Sequence, residues 1–145
     1  MQLLKKIIMK NINKIVFVLI ILGAYAKSNA QLDTLNYLKT NFELQKAEYI
    51  GKPFSYLLSK MTQIQPQTVW SQGPLNNRNI RTTTDFRFAT MNASFYNVIN
   101  LTIEWQESIP ATDVKYYQNK NKFYFTNDEK NFYGSKIVKD IRAYR

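Results

Sequence analysis

The chain has 145 residues, 45% of them hydrophobic and 14% aromatic, and it carries 20 basic against 10 acidic side chains, a net charge of +10. It contains no histidine and no cysteine. This composition excludes disulfides, thiolate and imidazole metal sites, and nucleophilic catalysis by a Ser-His-Asp or Cys-His arrangement. The length fits one domain.

Residues 1–30 have the layout of a secretory signal peptide. Four lysines precede an apolar run, and the small residues Ser28 and Ala30 stand at the −3 and −1 positions of a cleavage site before Gln31. A basic start, a short apolar segment and small residues at the cut are what export and cleavage require. We predict cleavage between Ala30 and Gln31, which leaves residues 31–145 as a single domain.

The apolar run of this segment is too short to cross a membrane. It extends over twelve residues from Ile15 to Ala26, whereas a spanning helix needs about 20. A signal that begins at Met1 or at Met9 leaves the same mature chain, so we expect a secreted or periplasmic protein with no stable membrane span after cleavage. Five basic residues and no acidic ones lie before Gln31, so the mature domain has 15 basic and 10 acidic side chains, a net charge of +5.

The beginning of the mature chain has the apolar spacing of an amphipathic helix. Asp33 or Thr34 is available as its N-cap, and the Thr40-Asn41 pair is a weak point at which the helix is expected to break. The apolar positions that recur at helical spacing are Leu35, Leu38, Phe42 and Tyr49.

A second, short helix is predicted after a turn at Gly51. Pro53 suits the first position of a helix because its missing N–H would have no partner there. The side chains that would share the apolar face are Phe54, Leu57, Leu58 and Met61.

From residue 68 onward the pattern changes to strands. Thr68–Trp70 is a strand candidate, Ile80–Thr90 and Phe95–Gln106 alternate between two faces, and the short loop Met91–Ser94 between them predicts an antiparallel hairpin. The alternating residues are Thr82, Thr84, Phe86 and Phe88 against Arg81, Thr83, Asp85 and Arg87 in the first run, and Ile99, Leu101, Ile103 and Trp105 against Asn100, Thr102, Glu104 and Gln106 in the second.

The last part of the chain is predicted to add further strands. Lys115–Tyr117 and Lys122–Phe125 are interpreted as the arms of a second hairpin, and Asp128-Glu129 as a solvated turn. Residues 135–145 fit a strand or a helix, and the Ile137-Val138 pair favours the strand. Helices that precede strands indicate an α+β fold, with one or two N-terminal helices packed on an antiparallel sheet of about four to five strands.

The sequence offers little for catalysis. Proton transfer without histidine falls to carboxylates, tyrosines or lysines, and the acidic residues are scattered: Glu104 and Glu107 would lie on opposite faces of a strand. We therefore expect a protein that is not an enzyme and that needs no cofactor or metal. A histidine-free hydrolase that uses a carboxylate pair is the less favoured alternative.

Aromatic and basic side chains are the better candidates for a function. The segment 115–125 interleaves rings with lysines, which can stack on sugars or other rings, but the same pattern also fits a sheet face with solvated lysines. Two arginines of the first alternating run have Asp85 between them and are interpreted as a partly paired, solvated face. The candidate ligand-binding residues are Trp70, Arg81, Arg87, Tyr116 and Tyr124.

Two general resemblances accompany these patterns. The junction Ser28-Asn29-Ala30-Gln31 resembles that of secreted proteins of Bacteroidetes-type bacteria. The short helix after Ile50-Gly51-Lys52-Pro53, followed by strands, is similar to the helix-then-sheet modules of periplasmic assembly and inhibitor proteins with the β-lactamase-inhibitor-like architecture. The second resemblance rests on element order and transfers no functional residue.

These observations favour a bacterial, non-enzymatic binding or interaction module whose partner is a protein or a cell-envelope component. A module that binds a glycan or another envelope polymer is the alternative. Export argues against nucleic acid as a partner.

Overall fold

The computed structural model describes residues 33–145, so the predicted signal peptide and its cleavage site lie outside the described residues. The helices are α1 (Thr34–Leu38), α2 (Phe54–Lys60), α3 (Ala111–Asn121) and α4 (Asn127–Gly134), and the strands are β1 (Thr68–Gln72), β2 (Ile80–Arg87), β3 (Asn100–Pro110) and β4 (Val138–Tyr144). The predicted α+β class is confirmed.

The four strands form one antiparallel sheet in chain order, β1-β2-β3-β4. One face is apolar, because the register aligns Val69 with Phe86, Phe86 with Leu101 and Leu101 with Ala143, and all four are buried. The other face is polar: its central row runs from Trp70 through Asp85 and Thr102 to Arg142. The alternation predicted for β2 and β3 therefore separates two chemically different faces.

Aromatic side chains of α2 and α4 contact the apolar face of the sheet. Phe54 stacks on Phe86 with 4.5 Å between ring centroids, and Tyr133 stacks on Trp105 at 5.8 Å. The predicted apolar side of α2 is confirmed, because its members are all buried: Phe54, Leu57, Leu58 and Met61. Pro53 stands one position earlier than predicted, as the N-cap.

The first predicted helix breaks at its weak point. The carboxylate of the N-cap Asp33 accepts a hydrogen bond from the backbone N–H of Asn36 at 3.1 Å. After α1 the chain continues as a π-helical turn over Lys39–Glu43, which contains the Thr40-Asn41 pair, and then as a 3-10 turn over Lys46–Glu48. These irregular turns still bury three of the apolar residues predicted at helical spacing, without a continuous α-helix. The three are Leu38, Phe42 and Tyr49.

The predicted hairpin over residues 115–125 is wrong. Residues 111–121 form α3, which Pro110 precedes as N-cap, and Val114 is its buried side chain. Lysine is a good helix former and is depleted in strands, whereas the tyrosines of this segment favour a strand, so the local propensities conflict and tertiary contacts decide the structure. The order of helices before strands is wrong as well, since α3 and α4 lie between β3 and β4.

Two further predictions differ from the structure, and one is confirmed. Asp128-Glu129 does not form a solvated turn but lies in the first turn of α4, where Glu129 is buried. The loop between β2 and β3 covers residues 88–99 instead of four residues, because turns close locally over this segment, with Ser94 N–H bonded to Thr90 O at 2.9 Å. The strand predicted for the C-terminal segment is confirmed as β4.

Candidate functional site

The structure brings some of the predicted site residues together and separates others. The guanidinium carbon of Arg87 lies 5.0 Å from the centre of the Trp70 ring, and Tyr124 pairs with the first residue of β1. Arg81 lies six positions from Arg87, about 20 Å along an extended strand. Tyr116 is on α3 and 60% exposed, and its ring and that of its neighbour Tyr117 meet edge to face, with 5.1 Å between centroids. The end of the sheet at Trp70, Arg87 and Tyr124 is therefore the candidate site.

Trp70 serves mainly as a packing surface at this end. Its ring stacks on Phe123 with 4.3 Å between centroids and an angle of 16°, and it meets the ring of Phe95 edge-on at 5.4 Å. The cation of Arg87 also lies over the ring. Because these groups occupy the surroundings of the indole, Trp70 organises the site and is not its free aromatic anchor.

The connection between β2 and β3 is an Ω-loop that forms one wall of the site. Its ends meet where the backbone N–H of Phe88 donates to the carbonyl of Ile99 at 3.1 Å, the geometry that defines such loops. The fully buried Ser94 donates its hydroxyl to the carbonyl of Met91 at 2.9 Å, and Arg87 Nη1 donates to the carbonyl of Ser94. Arg87 therefore attaches the Ω-loop to the sheet.

A polar groove lies between the Ω-loop and the segment that follows α3. It consists of two adjoining clefts of about 470 and 420 Å³ that share Pro66 and Phe125. Tyr124 supplies the exposed ring of the groove, with 49% of its surface accessible. The remaining lining residues are mostly amides and hydroxyls, with one lysine and no carboxylate: Gln65, Gln67, Thr90, Met91, Asn92, Thr126, Asn127 and Lys130.

Strained backbone presents Tyr124 to the groove. Lys122 and Phe123 both adopt left-handed conformations, with φ of 52° and 65°, which costs roughly 1 kcal/mol or more for each non-glycine residue. Hydrogen bonds on both sides hold the segment against β1: Val69 N–H donates to Phe123 O and Phe125 N–H donates to Gln67 O, each at 2.9 Å. Strain that the surroundings maintain in this way is frequent at binding sites.

The buried carboxylate of Glu129 fixes the chain on the C-terminal side of Tyr124. One oxygen accepts from the backbone N–H and hydroxyl of Thr126, at 2.9 and 2.5 Å, and the other accepts from Asn121 Nδ2 at 2.8 Å. The bond from the Thr126 backbone N–H belongs to a capping box at the start of α4, in which the Thr126 side chain accepts in return from the backbone N–H of Glu129. The bond to Asn121 connects α4 to the end of α3. Tyr124 is thus held in a short segment fixed at both ends.

Unpartnered polar atoms gather at the same end of the sheet. Within residues 33–145, four buried side-chain atoms have no hydrogen-bond partner in the protein: Thr68 Oγ1, Trp70 Nε1, Arg87 Nε and Asn100 Oδ1. All belong to the polar face, where Thr68 is opposite Arg87 and Arg87 is opposite Asn100. Because native proteins leave few buried polar atoms unpaired, the group distinguishes this end of the sheet from the rest of residues 33–145.

Asp85 is buried in the middle of the polar face, which corrects its interpretation as part of a solvated face. It is 2% exposed and accepts hydrogen bonds from Thr102 Oγ1 at 2.5 Å and from Gln72 Nε2 at 2.7 Å. Arg87 Nη2 lies 3.9 Å from its second oxygen. With its acceptors already engaged, this carboxylate stabilises the sheet and orients Arg87, and it has no approach for a substrate.

Residues 33–145 contain neither a cluster of metal-binding side chains nor a helix that could span a membrane. Residues 33–145 hold no group of three or more acidic side chains placed to share a metal ion. None of the helices in that range combines the length and apolar character that a bilayer crossing demands.

Comparisons with protein-family models, with curated proteins and with solved structures found no match to this chain.

Sequence reasoning found Tyr124 but missed most of the groove around it. Thr90, Met91 and Asn92 come from a segment expected to be half strand and half hairpin loop, so nothing placed them beside residues 124–125. One local signal was readable: Thr126 followed three positions later by Glu129 is the capping-box pattern, which predicts the start of a helix directly after Tyr124.

Proposed function

We propose that this protein is an exported, non-enzymatic binding module that holds a cell-envelope glycan in the polar groove. The observation that carries the proposal is the composition of the groove: an exposed tyrosine ring set among amide and hydroxyl side chains, with no carboxylate in the lining. The apolar C–H face of a sugar packs on an aromatic ring. Amides donate and accept hydrogen bonds at once, as sugar hydroxyls require.

The shape and support of the groove agree with this ligand class. The two clefts adjoin at Pro66 and Phe125, so together they offer space for more than one sugar unit. Hydrogen bonds on both flanks fix the backbone that carries Tyr124, so little backbone ordering is needed on binding, and a preorganised site binds more tightly than a mobile one.

Titration calorimetry with soluble peptidoglycan fragments, a neutral glucan and a uronic-acid polysaccharide tests the proposal. We expect one of these ligands to bind, and Tyr124→Ala to weaken its binding about 10-fold or more, since loss of a stacking ring is worth roughly 1–3 kcal/mol. Tyr116→Ala is the matched control, because Tyr116 is at least as exposed as Tyr124, 60% against 49%, but lies on α3 outside the groove. Equal affinities for both variants, or no binding to any of the three ligands, would contradict the proposal.

A second candidate function is recognition of a protein partner by the Ω-loop. Phe95 and Tyr96 are adjacent and 70% and 78% exposed, and exposed aromatic rings are common anchors of protein interfaces. A pull-down from the native envelope with the wild type and with the double variant Phe95→Ala, Tyr96→Ala distinguishes the candidates. A partner lost in the double variant and retained in Tyr124→Ala favours the protein partner.

The proposed export has a direct test. N-terminal sequencing of the secreted or periplasmic protein should begin at Gln31. A sequence that begins upstream of this residue would refute the proposed cleavage site.

A further inference from the structure

A second cleft lies at the opposite end of β1 and shares no residue with the groove. Its volume is about 340 Å³, and it contains two guanidinium groups and a hydroxyl but no carboxylate. The residues that line it are Ser71, Gly73, Pro74, Leu75, Arg78 and Arg81. The cleft is therefore cationic, and each of its polar side chains can donate a hydrogen bond.

The guanidinium of Arg81 is held in a fixed position. Its Nη1 donates to the carbonyl oxygens of Arg78 at 2.9 Å and of Ile80 at 2.8 Å. A guanidinium has five N–H groups, so those on Nε and Nη2 remain to serve a ligand. No acidic side chain among residues 33–145 forms an ion pair with Arg78 or Arg81. Both positive charges are thus available to an external anion.

Proton counting in a buried network adds a third donor. Trp105 Nε1 donates to Thr84 Oγ1 at 2.9 Å, Thr84 Oγ1 lies 2.8 Å from Ser71 Oγ, and Ser71 Oγ lies 2.9 Å from the Tyr133 hydroxyl. Four donor groups share these three bonds, so one proton has no acceptor within the network.

The surplus proton belongs to the residue that reaches the cleft. Thr84, Trp105 and Tyr133 are buried, and a donor left unpaired inside the core costs about 1–3 kcal/mol. Ser71 is half-buried and lines the cleft. The arrangement of lowest cost lets Thr84 and Tyr133 donate to Ser71, which directs the hydroxyl proton of Ser71 into the cleft.

We propose that this cleft is a binding site for a tetrahedral oxyanion, a phosphate or sulfate group, held by Arg78, Arg81 and Ser71. A guanidinium pairs with such a group through two parallel charge-assisted hydrogen bonds. The hydroxyl of Ser71 supplies a further donor from the sheet side. The site does not depend on the glycan groove, and either can exist without the other.

Titration calorimetry with sodium phosphate, at an ionic strength kept constant with sodium chloride, tests the proposal on the purified protein. We expect saturable binding of phosphate that Arg81→Gln weakens about 10-fold or more, because charge-assisted hydrogen bonds are the strong ones. Arg142→Gln is the matched control, since Arg142 is exposed on β4 and lies outside the cleft. Phosphate binding no stronger than that of chloride, or unchanged in Arg81→Gln, refutes the site.

Two further experiments test the role of the Ser71 hydroxyl and the source of the anion. Ser71→Ala should weaken phosphate binding and Ser71→Thr should restore it, whereas a purely structural role of Ser71 would change the unfolding midpoint and leave the affinity unchanged. Glycerol 3-phosphate distinguishes a free ion from an esterified group. Comparable affinities for the ester and the free ion indicate recognition of the phosphate group itself, and failure of both ligands to bind overturns the proposal.

Discussion

Glu129→Gln is the substitution that most directly tests how the groove is held. The carboxylate of Glu129 is 1% exposed and accepts three hydrogen bonds, two from Thr126 and one from Asn121. Glutamine has nearly the same shape but replaces one acceptor oxygen with an NH₂ group. That NH₂ group would lie against the N–H donor of either Thr126 or Asn121, and two donors cannot form a hydrogen bond with each other.

The size of the effect follows from the bonds that are lost. A hydrogen bond to a charged group contributes about 1.5–3 kcal/mol, so loss of the one or two bonds on the replaced oxygen should lower the free energy of unfolding by about 2 kcal/mol. With a denaturant slope of about 1.5 kcal/mol per molar urea for a domain of this size, the urea midpoint should fall by about 1.3 M.

Urea unfolding followed by far-UV circular dichroism measures this shift. Glu107→Gln is the control, because Glu107 is exposed on β3 and should change the midpoint little. The same preparation of Glu129→Gln should bind the glycan ligand more weakly, since Tyr124 loses one of its two fixed flanks. A midpoint equal to that of the control would refute the role assigned to Glu129.

Two further predictions concern single residues. Gly73→Ala should destabilise the protein by about 2 kcal/mol or more, because an added Cβ would lie 2.1 Å from the carbonyl oxygen of Ile80. In Gly134→Ala the added Cβ would lie 3.5 Å from Ser55, so this variant should be neutral or stabilised by up to about 1 kcal/mol. Equal unfolding midpoints for the two variants would contradict this prediction. Burial raises the pKa of Tyr133 to about 12 from 10.0. The folded protein then keeps a proton that the unfolded chain releases, so stability should fall by up to about 3 kcal/mol as the pH rises from 10 to 12. Tyr133→Phe should lack this pH-dependent loss.

The elements predicted correctly are those whose pattern is dictated by burial of one face. Strict alternation in β2 and β3 reflects a sheet with an apolar and a polar side, and the spacing of Phe54, Leu57 and Leu58 reflects a helix with one buried stripe. In these segments the local sequence and the tertiary contacts favour the same structure, so the sequence alone is sufficient.

The segment 111–125 shows where sequence reasoning ends. Its tyrosines and Phe123 favour a strand, whereas its lysines favour a helix, so the local propensities conflict. Contact between Asn121 and Glu129, and between Phe123 and Trp70, fixes the helix and the turn after it. Such contacts come from the arrangement of neighbouring elements, and no spacing within the segment encodes them.

The candidate site was predictable only in part for the same reason. Tyr124 was named as an aromatic residue with lysines nearby, whereas Arg87 and Trp70 were named as separate candidates and their contact was not predicted. The amides that complete the groove, Gln67 and Asn92, have no distinguishing pattern in the sequence, because their role depends on the Ω-loop approaching residues 124–125.

The two ends of the described chain meet along β4, and this has a consequence for how the protein is made. Gly51 N–H donates to Val138 O at 2.8 Å, and Lys46 Nζ lies 2.6 Å from Asp140, a residue 94 positions later. These contacts can form only after residues 138–140 have emerged from the ribosome. Residues 33–145 therefore cannot complete their fold before β4 has been synthesised, and until then the chain stays open for the passage through a membrane channel that the proposed export requires.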